Sequence, residues 1–343
     1  MTRRFIGKLA TRGPRCLCIG LAGLLTTTLP AIAHVQNFDV VALGAHGGIV
    51  DGDLTAYLVR PVGDDRAVLC DAGTIMKGLE AAERKGSLND IRPSPDLDKE
   101  RPGLVARHVV RAYLISHAHL DHIAGMVALS PDDTPKPIYA LPSVIDVLTQ
   151  HVFNGAVWPN MADQGTAPRL GLYHYAPLKV GQAERIAGTA LTVSAYPLSH
   201  AAVESTAFLL RNGDDALLYL GDTGADTVEH RHNLQDLWQA VAPLIRAHHL
   251  HGIIIECSYD DSRADARLFG HLSPHWLLHE LEMLEKAVGN EKPLQGLPVV
   301  VSHIKPSLVS SRQPERDILT TLRQHDRTGS RFIRLEQGDR VQF

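Results

Sequence analysis

Short apolar runs alternate with longer amphipathic segments along this chain, and the alternation predicts a mixed α/β fold. In the first half, residues 75–84 predict a helix, and a strand over PIYALP precedes a helix over SVIDVLTQHVF. The other predicted strands of this half are NFDVVALG, LTAYLVR, RAVLC and AYLIS. Asp71 and Gly73 end the third strand and could reach a site at that sheet edge, but we interpret both as parts of a structural turn.

The second half repeats this order of strands and helices. STAFLLRNG and DALLYLGDTG predict a hairpin that turns at Asn212-Gly213. The remaining predicted strands are LTVSAYPLSH, GIIIECS, PVVVSHIKPS and two short strands that close the chain. The predicted helices are HNLQDLWQAVAPLIRAHHL, HLSPHWLLHELEMLEKAV and PERDILTTLRQH. Ser273 and Pro274 mark the start of the second of these helices. We predict a surface loop over residues 87–103 and a cleft wall over residues 154–168, which include Trp158 and Asn160.

The N-terminus has the composition of a signal peptide. A basic stretch with five Lys and Arg residues precedes an apolar run, and Ala31-Ile32-Ala33 offers a small-x-small cleavage site. We therefore predict a signal peptide over residues 1–33, a single domain over residues 34–343, and a periplasmic or secreted protein without membrane attachment after cleavage. Loss of the five basic residues changes the formal net charge from −4 to −9, which argues against a nucleic-acid partner.

The four cysteines give no sign of a disulfide framework. Cys16 and Cys18 belong to the predicted signal peptide, whereas Cys70 and Cys257 end apolar strands. Neither of the latter lies in a CxxC motif, so we interpret both as buried thiols.

The densest group of potential metal ligands is the segment ISHAHLDHIAG, residues 115–125. It places His117, His119, Asp121 and His122 within six residues, between a predicted buried strand and the start of a helix. Their offsets fit neither one helical face nor the alternation of a strand, so we expect a tight turn to direct them to one point. Four ligands exceed what one tetrahedral ion takes from one loop, which favours two adjacent ions.

Three further residues share with this segment a position at the end of an apolar strand: His200, Asp222 and His303. We expect them at the same edge of the sheets. By type, the seven candidate ligands divide into three groups. The imidazole set is His117, His119 and His200, the mixed set is Asp121, His122 and His303, and the bridging carboxylate is Asp222. Nitrogen and oxygen donors favour Zn²⁺, with manganese or iron as alternatives. Two such ions generate a bridging hydroxide suited to phosphate ester hydrolysis or to attack on an acyl carbon.

The motifs HAHLDH, PLSH, GDTG and VSHIK, in this order, resemble the metallo-β-lactamase superfamily. That resemblance implies an α/β fold, a four-layer αββα sandwich of two mixed sheets flanked by helices. Within the superfamily, HAHLDHIAGMVALSP is similar to the signature of class II 3′,5′-cyclic-nucleotide phosphodiesterases, with Ala128 in place of a larger aliphatic residue. IIIECSY, FGHLSP and VSHIKP also resemble that family.

This resemblance implies hydrolysis of a small cyclic nucleotide, cyclic AMP or cyclic GMP, to the nucleoside 5′-monophosphate by two divalent metal ions, with a homodimer as one option for the assembly. We predict Asp121 and His271 as catalytic residues, His271 contacting the phosphate or donating a proton; helix capping or packing is its alternative role. Lys305 is predicted to bind the substrate phosphate or else to extend into solvent. Glu256 orients a metal ligand or pairs with a basic side chain.

The main alternative is a β-lactamase or thioester hydrolase on the same scaffold, and export favours the lactamase. However, Asp222 stands where lactamases with two zinc ions commonly have Cys, and a bridging carboxylate is more typical of phosphodiesterases and thioesterases. A binder without catalysis is disfavoured because no ligand is missing from the sequence. A tRNA-processing nuclease is disfavoured by the net charge and the lack of a basic arm.

Overall fold

Two seven-stranded sheets pack face to face in the computed structural model, and helices cover their outer faces. The model describes residues 37–92, 100–309 and 311–343, which belong to one compact unit. Both sheets are mixed, so the predicted four-layer αββα sandwich is confirmed. The predicted signal peptide, residues 1–33, lies outside the described residues.

The first sheet is built from the N-terminal half of the chain. Its strands are β1 (Phe38–Gly44), β2 (Ala56–Pro61), β3 (Ala67–Cys70), β4 (Val110–Leu114), β5 (Lys136–Ala140) and β6 (Tyr173–Pro177). β1, β2 and β3 are antiparallel neighbours, whereas β3, β4, β5 and β6 run parallel. The sequence YHYAP of β6 was not among the predicted strands.

The second sheet reverses this arrangement. Its strands are β7 (Glu184–Arg185), β8 (Thr192–His200), β9 (Val203–Asn212), β10 (Asp215–Leu220), β11 (Leu250–Glu256), β12 (Pro298–Ser302) and β13 (Arg331–Ile333). β7 to β10 are antiparallel neighbours, and β10 to β13 run parallel. The last strand, β14 (Arg340–Gln342), returns to the first sheet beside β1.

The central strands of the second sheet are buried on both faces, which explains their nearly continuous apolar sequence. In β9 and β10, Phe208, Leu210 and Tyr219 belong to the core between the sheets. The alternate residues Leu209 and Leu218 belong to the core under the outer helices. Side chains of a strand point to opposite faces in turn, so each strand contributes to two cores at once.

Eight α-helices are present in the described part of the chain: α1 (Met76–Lys85), α2 (Arg101–Leu104), α3 (Leu120–Leu129), α4 (Pro142–Val147), α5 (Asp226–Glu229), α6 (Asn233–Arg246), α7 (Pro274–Val288) and α8 (Pro314–His325). None of these is long and apolar enough to cross a membrane. π-helical turns continue α2 and α4 over Val105–Val109 and Leu148–Val152. The predicted helices over 75–84, 143–153, 232–250, 271–288 and 314–325 are confirmed with small shifts of their ends.

Three details differ from the sequence-based expectations. The predicted surface loop over residues 87–103 ends early, because Pro102 is accommodated in the first turn of α2 and is buried there. Ser273 occupies the N-cap position of α7, but its side chain makes no capping hydrogen bond. Asn160 does not project into a cleft, since its amide nitrogen donates to the carbonyls of Gln164 and Thr166 in its own loop.

Cys70 and Cys257 are both buried and free, so the prediction of two thiols is confirmed. Trp158, the other residue of the predicted cleft wall, donates from Nε1 to the hydroxyl of Ser130 at 3.0 Å. The contacts of Trp158 and Asn160 therefore stabilise the long connection between α4 and β6.

Replacing Leu281 with Ala should destabilise the fold, because this α7 side chain is fully buried in the core under the second sheet. We expect a loss of about 3 kcal/mol in the free energy of unfolding, measured by urea denaturation. Leu308→Ala is the matched control, since Leu308 is 90% exposed; its effect should stay within about 0.5 kcal/mol. Equal effects of the two substitutions would contradict the assigned packing of α7.

Candidate metal centre

All seven predicted ligands lie at the edge of the sandwich where β4, β8, β10 and β12 end. The spacing of these residues predicted a single tight turn after β4, but the segment does not form one. His117 and His119 precede α3, whereas Asp121 and His122 lie in the first turn of that helix. The end of the extended segment and the start of the helix together direct the four side chains to one place.

The imidazole set forms a tight group of ring nitrogens. Nε2 of His117 lies 3.0 Å from Nδ1 of His119, and the same Nδ1 lies 3.3 Å from Nε2 of His200. The other nitrogen of His200 donates to the carbonyl of Gly270 at 2.8 Å. A carbonyl only accepts, so Nε2 of a neutral His200 presents a lone pair to the group.

The mixed set lies directly beside it. Nε2 of His303 is 3.2 Å from Oδ2 of Asp121, and the rings of His122 and His303 stack at a centroid distance of 5.0 Å. One ligand atom from each of these three residues lies within 4.8 Å of the others. This spacing is compatible with coordination of one cation by nitrogen and oxygen donors.

Asp222 lies between the two sets. Its Oδ1 is 3.3 Å from Nε2 of His122, and its Oδ2 is 3.3 Å from Nε2 of His303. The same Oδ2 lies 3.8 Å from Nε2 of both His117 and His200. One buried carboxylate therefore faces nitrogen atoms of the imidazole set and of the mixed set.

The donor atoms fit divalent cations. Nε2 of His122 is buried and makes no hydrogen bond, although burying a polar atom without a partner is costly. The lone pairs of His200 and the neighbouring rings also repel one another at such short distances. A cation coordinated by these atoms removes both costs, and imidazole and carboxylate are ligands that zinc accepts.

Asp71 holds His122 in place, and its interpretation as a mere turn residue was wrong. Its Oδ2 accepts from Nδ1 of His122 at 2.8 Å, from the hydroxyl of Ser116 at 2.7 Å and from Tyr219 at 2.5 Å. The Ser116 hydroxyl in turn lies 3.1 Å from Nδ1 of His117. Such outer contacts set the tautomer and direction of ligand imidazoles. Asp71 therefore reaches the site, the less favoured of the two roles considered for it, and Ser116 is a supporting residue that the sequence patterns did not reveal.

Glu256 plays a corresponding part on the opposite side. It accepts from the Ser258 hydroxyl at 2.7 Å and pairs with Nδ1 of His271 at 2.8 Å. Ser258 also lies 2.9 Å from Nδ1 of His303. Of the two roles considered for Glu256, the orienting contact is present, and its basic partner is a histidine of the cluster.

The Gly-rich loop after β1 packs against the mixed set at the sheet edge. The backbone N–H of Gly48 donates to Oδ2 of Asp121 at 2.9 Å. A Cβ at Gly47 would lie only 2.2 Å from the His303 ring. A residue with a side chain does not fit there without moving His303, which explains the glycine at position 47.

The electrostatic environment favours the protonation states that coordination needs at His117, His119, Asp121 and Asp222. Burial lowers the pKa of His117 well below its ordinary value, helped by the neighbouring imidazoles, and burial also lowers that of His119. Burial opposes ionisation of Asp222, but the neighbouring histidines His303, His122 and His271 together outweigh it and hold the pKa of this carboxyl well below its usual range. At Asp121, burial is outweighed by the hydrogen bond from His303 together with the charges of His122 and His303, and the pKa of this carboxyl is held well below its usual range. Neutral imidazole and ionised carboxylate are the coordinating forms.

His271 and Lys305, the predicted substrate contacts, lie on one side of this centre. His271 is buried, with Nδ1 at 3.7 Å from Oδ2 of Asp222 and its ring 4.6 Å from that of His200. Ser273, not His271, occupies the helix N-cap, so capping does not explain His271. Lys305 lines a cavity next to the cluster, and its Nζ lies 5.8 Å from the centre of the Tyr259 ring.

Comparison with known proteins decides the family. The model of class II cAMP phosphodiesterases matches residues 98–338. The chain belongs to this family. Among its class II relatives, the probable 3′,5′-cyclic-nucleotide phosphodiesterase of Yersinia pestis is 42% identical over 320 residues, which cover 93% of each chain.

Solved structures of other proteins share this fold. Unliganded yeast PDE1 is similar with a TM-score of 0.75 and 26% identity, over 90% of this chain and all of that chain. The metallo-β-lactamase fold protein YhfI from Bacillus subtilis has a TM-score of 0.58 at 15% identity, over 90% of this chain and all of its own. The latter likeness supports the fold alone.

Replacing Asp71 with Asn should weaken metal binding, because an amide cannot accept hydrogen bonds from His122, Ser116 and Tyr219 in the way that the carboxylate does. We expect a loss of about 10- to 100-fold in zinc affinity, measured by competition with a chromogenic chelator. Asp64→Asn, on the surface turn between β2 and β3, is the control and should bind zinc like the wild type. Unchanged affinity in Asp71→Asn would show that the orienting contact has no effect on the ligands.

Metal affinity should also increase with pH, because a proton competes at His122. Burial would lower the pKa of this ring, but the carboxylates of Asp222 and Asp71 outweigh burial and raise it well above its ordinary value. Below that raised pKa, an incoming cation has to displace the proton; above it, the ring is already free. Zinc titrations at about pH 6 and about pH 8 should give tighter binding at the higher pH, with proton release on binding. The same affinity at both values would contradict this assignment.

Proposed function

We propose that this class II phosphodiesterase hydrolyses 3′,5′-cyclic nucleotides, cyclic AMP or cyclic GMP or both, to nucleoside 5′-monophosphates at the seven-residue cluster. The observation that carries the proposal is the position of Asp222, whose two oxygens face both ligand sets. A shared carboxylate between two sets of donors suits a dinuclear hydrolytic centre. The relative from Yersinia pestis, named as a probable 3′,5′-cyclic-nucleotide phosphodiesterase, supports the choice of substrate.

Two divalent ions, most simply Zn²⁺ in view of the nitrogen and oxygen donors, would supply a hydroxide nucleophile at neutral pH and would neutralise charge on the phosphoryl group. His117, His119 and His200 would hold one of them, and Asp121, His122 and His303 the other, with Asp222 shared. The protein contributes the fixed positions of these ligands. Asp71, Ser116 and Ser258 hold the rings through their second nitrogens, so little reorganisation accompanies the reaction.

His271 is our candidate for the residue that assists the leaving group. Glu256 engages its Nδ1, which leaves Nε2 to contact the phosphate or to hold a proton for the departing 3′ oxygen. Lys305, at the side of the adjacent cavity, adds a cation for the phosphate. Opening of the cyclic ester yields the 5′-monophosphate and a free 3′ hydroxyl, so one proton has to be delivered to that oxygen.

The signal peptide over residues 1–33, the periplasmic or secreted location and a homodimeric assembly stay predictions from the sequence. An enzyme outside the cytoplasm would act on cyclic nucleotides that reach that compartment. Its acidic mature chain is compatible with a small substrate and argues against a polymeric nucleic acid.

Asp222→Ala should reduce the turnover of cyclic AMP and cyclic GMP by about a thousandfold or more, because loss of the shared carboxylate disturbs both ligand sets. Metal analysis should give about two divalent ions per wild-type chain and fewer in the variant. Asp214→Ala, in the exposed turn between β9 and β10, is the control and should retain wild-type metal content and activity.

The same assay should include a cephalosporin and a glutathione thioester, to test the other hydrolase classes. We expect turnover of the cyclic nucleotides only. A wild-type protein that cleaves the lactam or the thioester while cyclic nucleotides stay intact would overturn the proposed function.

A further inference from the structure

A large cavity opens beside the metal-ligand cluster. Its volume is about 770 Å³, and its walls come from the segment between β11 and α7 and from the segment between β12 and α8. Ser258 lines this cavity and also contacts the cluster. Its hydroxyl lies 2.9 Å from Nδ1 of His303 and 3.1 Å from Nδ1 of His271. A ligand in the cavity is therefore adjacent to the reacting centre.

Aromatic and guanidinium groups give this cavity flat surfaces. The Tyr259 ring packs edge-on against His271 at a centroid distance of 5.6 Å, and the Arg263 guanidinium covers the Tyr259 ring at 3.7 Å. Phe269 also lines the cavity and is 62% exposed. Aromatic rings and arginine planes are the surfaces on which nucleobases stack in proteins.

The exposure of Phe269 is imposed by the backbone that supports the metal-ligand cluster. Its φ of +53° lies in the left-handed region, which disfavours residues with a Cβ. The next residue, Gly270, accepts from Nδ1 of His200, and a Cβ at this position would lie 2.3 Å from the backbone nitrogen of Ala201. The segment is thus held against β8, and Phe269 is held at the cavity in a conformation that brings it little burial. Strain of this kind is typical of functional positions.

The same cavity concentrates positive charge. Four basic side chains line it: Arg263, Arg267, Lys305 and Arg312. Within residues 37–92, 100–309 and 311–343, neither Arg267 nor Arg312 has a side-chain ion-pair partner. The chain as a whole has a formal net charge of −4. A cluster of cations in an acidic protein favours an anionic ligand.

We propose that Phe269 and the Arg263–Tyr259 stack form the base subsite of the active site and determine its affinity for the nucleoside part of the substrate. This inference rests on the proposed function, and it adds where the base of the cyclic nucleotide binds. The base packs against these flat groups, and its phosphate extends past Lys305 toward the cluster. An inorganic anion would satisfy the cations but would leave both stacking surfaces uncovered, whereas a nucleotide engages both kinds of group.

Phe269→Ala and Arg263→Ala test this subsite in the full-length, metal-loaded protein. Loss of one stacking contact should raise the KM for cyclic AMP and cyclic GMP by about tenfold, with kcat within about twofold of wild type. Calorimetric titration should show a similar weakening for the product 5′-AMP, which is not turned over. Phe269→Tyr keeps the ring and should retain wild-type values. Leu170→Ala is the matched control, since Leu170 is 61% exposed on a different loop.

Ribose 3′,5′-cyclic phosphate, which has no base, separates the subsite from the metal centre. Both alanine variants should hydrolyse it at the wild-type rate. The proposal is overturned if they impair this substrate as much as cyclic AMP, if KM and 5′-AMP affinity do not change, or if wild type binds inorganic phosphate as tightly as 5′-AMP. A wild-type protein that hydrolyses no cyclic nucleotide would contradict the proposed function, and the 5′-AMP titration would still decide the base subsite.

Discussion

The structure depends on one electrostatic constraint, the crowding of ring nitrogens and carboxylate oxygens at a single buried point. Asp222 lies within 3.8 Å of nitrogen atoms from five histidines, and Nε2 of His122 is buried there without a hydrogen bond. Lone pairs and negative charges do not remain so close unless positive charge balances them. In the metal-free protein a proton on His122 supplies part of that charge, and divalent cations balance it more completely. The arrangement of side chains at the strand ends therefore favours the binding of cations.

The sandwich can hold the ligand atoms this close together because the ligands belong to rigid elements. Parallel strands bring the ends of β10, β11 and β12 to one edge, and β4 delivers the HAHLDH segment from the other sheet. Outer contacts from Asp71, Ser116 and Ser258 then set the direction of each ring. A hydrogen bond from the ring nitrogen that points away from the site keeps the proton on that nitrogen. The nitrogen that faces the site then has a lone pair for coordination, which is how a protein selects the coordinating tautomer. The fold therefore does the positioning in advance of substrate binding.

The sequence was sufficient to identify the seven side chains that the structure brings together, and to predict most of the fold. His200, Asp222 and His303 were identified because each follows an apolar strand, and strand ends converge whatever their distance along the chain. Asp71 satisfies the same criterion, yet its role depends on a contact with His122, 51 residues further on, which no local pattern encodes. β6 was not predicted because its short YHYAP segment follows an aperiodic connection. The cavity residues Arg263 and Phe269 lie in an irregular segment whose path is set by contacts with β8, so only the folded chain shows where they point.

The most direct test of the central claim is anomalous X-ray diffraction from crystals of the protein loaded with zinc, collected on both sides of the zinc absorption edge. Our account predicts two strong peaks, one among His117, His119 and His200 and one among Asp121, His122 and His303, with Asp222 between them. A single peak, or zinc bound elsewhere while the seven side chains stay in place, would contradict it.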